Sequence, residues 1–314
     1  MSYSGGSIIL ASDYITLMGS KGPSQPYTND AEASNKVAAL IGVGYGQRGY
    51  GQTGAVLPLP SVNTAVRATT WNNLRSAMSA MNVHTGLGLT LQPALNIGDL
   101  MIANDGRSPY VDIPELISLI DTNRFMIDSS QASVTGVLTS STTASWTNSV
   151  THEFTATFPD ENNARYFFNA GGEIRLSASR SGGSTTGPNT AITDMLNAVG
   201  TVKLGAVSTS YTGSGGTVAS TIGYYGLTAS YQQLFTHLGS GPYANVSYTI
   251  TARMENYTGE NGGNGALIRM RATISLASYT TVSVSGTTMS SISSLRSVSA
   301  ITVSNPTYAT IINI

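Results

Sequence analysis

The hydrophobic positions change period along the chain. Residues 1–128 carry most of the helical spacing. Asp30-Ala-Glu-Ala-Ser-Asn-Lys-Val-Ala-Ala-Leu-Ile41 opens on an Asn-Asp pair suited to a helix cap and stops at Gly42, with Val37, Leu40 and Ile41 at helical intervals. A second helix begins at Thr69 or Thr70 and runs to Met81, because Trp71, Leu74, Met78 and Met81 form one apolar stripe. A third, short helix is predicted over Glu115–Ile120, just after Pro114. From about residue 145 the period becomes two. Glu153–Phe158, Glu173–Ala178, Val246–Met254 and Leu267–Leu276 alternate apolar with polar, with turns at Ser181–Ser184 and Gly213–Gly216. Two helical inserts are expected there, Ile192–Val199 and Ser230–Leu238.

These patterns predict a mainly β fold, with a β-sandwich or jelly-roll body and a smaller helix-and-loop N-terminal region. The expected divisions are 1–128 for the helix-and-loop docking region, 129–144 for a linker that could also be an edge strand, 145–280 for the β domain, and 281–314 for a C-terminal strand arm. That tail alternates at Val282/Val284, Ile301/Val303 and Ile311/Ile312/Ile314, with few charges to guard a strand edge. It is expected to add to a sheet or to pack on an adjacent subunit; completing its own sandwich is the alternative. There is no clean internal repeat.

Composition sharpens this picture. Only 10% of the 314 residues are charged, against about 25% in an average soluble protein. Thirty-four glycines and many serines and threonines take their place, while 40% hydrophobic residues and 16 tyrosines supply a core. The net charge of −1 gives no footprint for nucleic acid or for an anionic membrane. With no cysteine, disulfides, thiolate metal sites and cysteine nucleophiles are excluded. Ile8–Ala11 is too short for a signal core, and no run reaches the length of a membrane span. The triplets Asn245-Val-Ser247 and Asn256-Tyr-Thr258 fit a glycosylation pattern only by composition.

Candidate chemistry is sparse. Gly44-Tyr-Gly-Gln-Arg-Gly49 fits Gly-x-Gly-x-x-Gly, but a helix precedes it and no helix follows, so the motif reads as a loop that uses positive φ. His84, His152 and His237 are scattered, and no Gly-x-Ser-x-Gly elbow is present. Asp160-Glu-Asn-Asn163 could offer oxygens to calcium but reads better as a solvated turn. Tyr166-Phe167-Phe168, with Tyr224-Tyr225 and Tyr231, could be a sugar-stacking platform; core or subunit interface is the stronger reading. Phe167 or Phe168 is expected in the core, ahead of a tight turn over Asn169-Ala-Gly-Gly172. No cofactor and no metal site is expected.

Gly49-Tyr-Gly-Gln52, Trp71-Asn-Asn-Leu-Arg75, His84-Thr-Gly86, the run Ala164–Arg175, Ile222-Gly-Tyr-Tyr225 and Tyr231-Gln-Gln-Leu-Phe235 occur in that order. Together they resemble a pattern in virion structural proteins of tailed bacteriophages, over about residues 8–276. Ser76 and Thr85 depart from it, where an acidic residue and a glutamine are usual. The resemblance implies a non-enzymatic subunit of the tail, neck or fibre apparatus, made in the host cytoplasm and built into the virion. Its partners would be copies of itself and other virion proteins. The residues expected to carry packing and assembly are Gly49, Tyr50 and Gly51, Trp71 and Leu74, Tyr166, Phe167, Phe168 and Asn169 with Gly171 and Gly172, and Ile301 and Val303. Two competitors use other chemistry. One is a fibre module that binds host surface glycan through the aromatic group. The other is a glycan-degrading tailspike, which needs paired carboxylates across a groove, whereas Glu153, Glu173 and Glu255 stand isolated in the sequence.

Overall fold

A computed structural model describes residues 11–311 except 62–65, 100–109, 186, 277, 278 and 280. The N-terminal region contains α1 (Ala11–Met18), α2 (Asp30–Ala33), α3 (Val37–Ile41), α4 (Ala68–Thr85) and α5 (Ile113–Thr122). The helix expected over 30–41 is therefore two short ones, because Asn35 turns into the left-handed region at φ 53°. Helix α4 runs one turn beyond its apolar stripe and stops at Gly86, which takes the left-handed conformation helix ends favour. Asp112 caps α5 by accepting from the Ile113 N–H, with Pro114 in the first turn.

The rest is a two-sheet body. In chain order it contains β1 (Ala132–Thr142), β2 (Ser149–Thr157), α6 (Glu161–Asn169), β3 (Glu173–Ser181), α7 (Gly187–Val199), β4 (Thr201–Leu204), β5 (Thr209–Tyr211), β6 (Thr217–Val218), β7 (Gln232–Leu238), β8 (Ser247–Glu255), β9 (Leu267–Ser275), β10 (Thr287–Ser297) and β11 (Thr307–Ile311). All pairings are antiparallel, in the orders β1-β10-β3-β4-β5 and β11-β2-β9-β8-β7-β6. Strands β8 and β9 bury every second residue, as their alternation predicts. The fold is mainly β, as expected.

Three expectations need correction. The first is Ser230–Leu238, which is strand β7 and not a helix. A register shift between Gln233 and Phe235 turns Leu234 and Phe235 inward together, and that adjacent apolar pair mimics helical clustering. The second is 129–144, where the edge-strand alternative to a linker holds, since most of it is strand β1 at the edge of its sheet. The third is the C-terminal arm. Within the described residues, β10 lies inside its sheet between β1 and β3, and β11 pairs with β2. The inward residues of β10 include Thr288, Ser290 and Ser294, hydroxyls that a search for Val and Ile alternation passes over. Ile312 and Ile314 lie outside the described residues.

One contiguous hydrophobic core runs from Tyr14, Trp71 and Met81 through Phe154, Phe167 and Ile250 to Ile301, so the helical region and the body share an interior. Among the described residues no helix is long and apolar enough to cross a membrane.

Ending the chain at Ser297 removes the buried Ile301 and Val303 and leaves β2 as a bare edge. The truncated protein should melt about 10 °C lower or more, or fail to express in soluble form. An unchanged melting temperature would contradict the position given to this segment.

Candidate functional site

The motif residues of the sequence converge on one buried junction, where the glycine-rich loop 42–54 wraps around α6. Asp160 starts α6 by accepting from the Asn163 N–H at 2.7 Å, so Asp160-Glu-Asn-Asn163 is a helix start and not a free turn. Gly171 ends the helix at φ 72°. The Gly172 N–H returns to Phe167 O at 2.9 Å and that of Gly171 to Phe168 O at 3.1 Å, a paired closure that needs the left-handed residue. The tight turn expected over Asn169–Gly172 is this helix end.

From α6, Arg165 reaches into the loop and is fully buried. Its Nη1 donates to Gly46 O and Arg48 O, both at 3.0 Å, and its Nη2 to Val43 O at 2.8 Å. Nε and Nη2 also donate to Asn162 Oδ1 at 3.3 and 3.1 Å. A guanidinium has five N–H donors, and all five are used. One turn later, Asn169 Nδ2 donates to Gly46 O and Gly49 O, each at 3.1 Å. The Tyr225 hydroxyl lies 2.7 Å from Gly46 O and 2.8 Å from Asn169 Oδ1, and gives its single proton to one of them. Burial pushes the Tyr225 phenol far above its ordinary range, so it stays protonated.

The loop can approach this closely because Gly51 has no side chain. A Cβ there, at φ 72°, would lie 2.3 Å from the Tyr166 ring. Tyr50 is buried, donates to Arg124 O at 2.8 Å and meets His84 edge-on at 5.0 Å between ring centroids. His84 Nδ1 lies 3.1 Å from Ser297 Oγ, which donates to Ile301 O at 2.5 Å. Gln52 Nε2 donates to Thr302 O at 2.8 Å. The loop therefore joins α6, α4 and the segment after β10. On its outer flank Asp121 accepts from Arg48 at 2.9 Å, from Arg124, and from the Asn35 N–H at 2.8 Å.

Phe167, Phe168 and Tyr224 are fully buried. Phe168 and Tyr224 stack at 4.5 Å, and Phe158 sits 5.1 Å from Phe167. This takes them out of any sugar-stacking platform. Trp71 and Leu74 are buried in α4, and Ile301 and Val303 are buried beyond β10.

Catalytic constellations do not assemble from the predicted candidates. His152 Nδ1 lies 2.8 Å from Ser290 Oγ and its Nε2 3.1 Å from Thr142 Oγ1, but the serine is buried and no carboxylate orients the imidazole. No group of three or more His, Cys, Asp or Glu among the described residues could hold a metal. Each isolated carboxylate pairs with arginine: Glu153 with Arg271 at 2.7 Å, Glu173 with Arg175 at 2.8 Å, and Glu255 with Arg269 at 2.7 Å. Burial raises the Glu153 carboxyl, but donation from Arg271, Tyr231 and Arg269 outweighs it and holds the group below the ordinary range. A general acid for glycoside cleavage needs the opposite shift.

Two measurements follow from the junction. Arg165→Met leaves Val43 O and Arg48 O without a donor and takes one donor each from Gly46 O and Asn162 Oδ1, which keep Asn169 and Asn261, so it should cost about 3–5 kcal/mol in chemical denaturation. Arg165→Lys should recover only part of this, since a single ammonium cannot reach all four acceptors. Either variant at wild-type stability would contradict the clamp. The second concerns pH. Burial lowers His84 to about 4 from its usual 6.5. Between those values the unfolded chain binds the proton and the folded protein does not, so stability is full above about pH 6.5 and falls as pH drops toward 4, by up to about 3 kcal/mol. The denaturation midpoint should thus be lower at pH 5 than at pH 7, and His84→Gln should flatten that slope; a midpoint that rises on acidification would contradict it.

No protein-family model matches the chain, and no curated protein or solved structure matches it.

Proposed function

We propose that this chain is a non-enzymatic structural subunit of a tailed-phage particle, in the tail, neck or fibre apparatus, which works by assembling with copies of itself and docking to neighbouring virion proteins. The observation that carries this reading is the convergence of the resembling motifs. Tyr50, Trp71, His84, Arg165 and Phe167–Ala170 are buried, and Gly51, Gln52, Tyr166, Gly171 and Tyr225 pack half-buried around them in one hydrogen-bonded junction. Residues so placed determine shape and rigidity, as the parts of a shell or tail require.

The sheet edges support self-assembly. On one side of the body the edges are blunted by shortness, with three residues in β5 and two in β6. On the other side stand β1, eleven residues long, and β11, with no charged side chain in either. Val134 and Val137 on β1 are 51% and 69% exposed. An uncharged edge of this length invites strand addition, and a second copy carries the same self-complementary edge. The net charge of −1 adds no repulsion between copies.

Sedimentation velocity at micromolar concentration should show a species larger than the 32.6 kDa chain. Val137→Lys, which guards the edge, should shift the population to monomer without lowering the melting temperature. A wild-type protein that sediments only as monomer would contradict the assembly reading. An antibody to the chain should label phage particles at a fixed position, and unlabelled particles would contradict the virion reading.

A further inference from the structure

A groove of about 550 Å³ opens beside the connection between β8 and β9, within the size range of small-ligand sites. Thr228, Arg253, Glu255, Asn256, Tyr257 and Asn264 line it, over apolar Leu227 and Met254. Its frame is fixed from below. Asn264 Nδ2 donates to Leu227 O at 2.8 Å and to Tyr224 O, and the Met254 N–H donates to Thr228 O at 2.8 Å. Asn256 holds a left-handed backbone at φ 54°, a conformation that asparagine adopts more readily than most residues and that turns the chain at the lip of the groove.

Against this fixed frame, two polar side chains are uncommitted. Neither the Asn256 amide nor the Tyr257 hydroxyl makes a hydrogen bond among the described residues, and Tyr257 is 67% exposed. The remaining wall is ionic but compensated. Arg253 pairs with Glu255, which Arg269 also bridges at 2.7 Å, and the Arg253 guanidinium lies 4.8 Å from the Tyr231 ring centroid. The groove thus offers an exposed tyrosine ring, the Asn256 amide, the Tyr257 phenol and a paired carboxylate–guanidinium wall, with no isolated cation among its lining residues to select an anion.

We infer that this groove binds a neutral pyranose sugar. The C–H face of a pyranose ring lies flat on an aromatic ring, while its rim of hydroxyls needs donors and acceptors together, which the Asn256 amide and the Glu255 carboxylate supply. The inference does not depend on the assembly reading, because the groove is built within one chain.

Saturation-transfer NMR on the full chain, with the methyl glycosides of glucose, galactose and mannose and with N-acetylglucosamine each at about 10 mM, tests it. At least one sugar should show transfer to its ring protons. Tyr257→Ala should weaken that binding about tenfold or more, and Tyr257→Phe should keep it within about threefold. Both variants should melt and sediment as the wild type does, since the ring is exposed, which separates loss of the groove from loss of the fold or of the oligomer. The proposal is overturned if none of the four sugars binds, if Tyr257→Ala binds as the wild type does, or if glucuronate or adenosine, run beside them as controls at the same concentration, binds and none of the four sugars does.

Discussion

The structure depends on a buried guanidinium whose charge is balanced by carbonyl dipoles, with no carboxylate in ion-pair contact among the described residues. Taking the Arg165 cation out of water costs several kcal/mol unless every N–H finds an acceptor. The acceptors are Val43 O, Gly46 O, Arg48 O and Asn162 Oδ1. Aiming three carbonyls of a six-residue stretch at one point forces the chain into a tight curl, which explains the glycine density of this loop. The same demand fixes where the N-terminal region sits, because the curl can be satisfied only against α6. Asp160 and Gly171 set where α6 begins and ends, so a cap and a left-handed turn more than a hundred residues away govern the loop.

A second constraint runs through the body. With few charges and many hydroxyls, the sheets bury Thr288, Ser290 and Ser294 where most sandwiches bury aliphatic residues. Each needs a partner, and each has one: Trp146 Nε1 at 3.1 Å for Thr288, His152 for Ser290, and Asn305 with Thr135 O for Ser294. Because Thr142, His152 and Ser290 come from β1, β2 and β10, this chain of hydrogen bonds ties the two sheets in register. Polar partners inside a core are directional, so they specify one alignment of the sheets more sharply than aliphatic packing does.

The parts of the fold with a clean period were legible in the sequence. Strands β8 and β9 alternate strictly, α4 carries one stripe, and the paired phenylalanines before Gly171-Gly172 announce core followed by a turn. Elements whose period is masked were not legible. In β10 the inward face is largely serine and threonine, and in β7 a bulge puts two apolar residues on one side. Helix α6 was hidden because Asp160 looks the same as a turn residue or as a cap until the following residues are seen packing. At the junction, the glycines and aromatics stand out in the sequence, but Arg165 does not. Its role arises from three carbonyls that only folding brings together. Tyr257 was equally silent, since nothing in Asn256-Tyr-Thr258 tells an exposed tyrosine from a buried one.

The central claim is that the glycine loop and the β body open as one unit through Arg165. Native-state hydrogen exchange on the wild-type protein tests this most directly. The hydrogen-bonded loop amides, those of Gly46 to Asn261 O, Tyr50 to Leu40 O and Gly51 to Gly42 O, should exchange with the same opening free energy as the central strands β8 and β9, because releasing the loop uncovers a buried cation. Exchange of these amides by local opening, several kcal/mol below the strands, would contradict it.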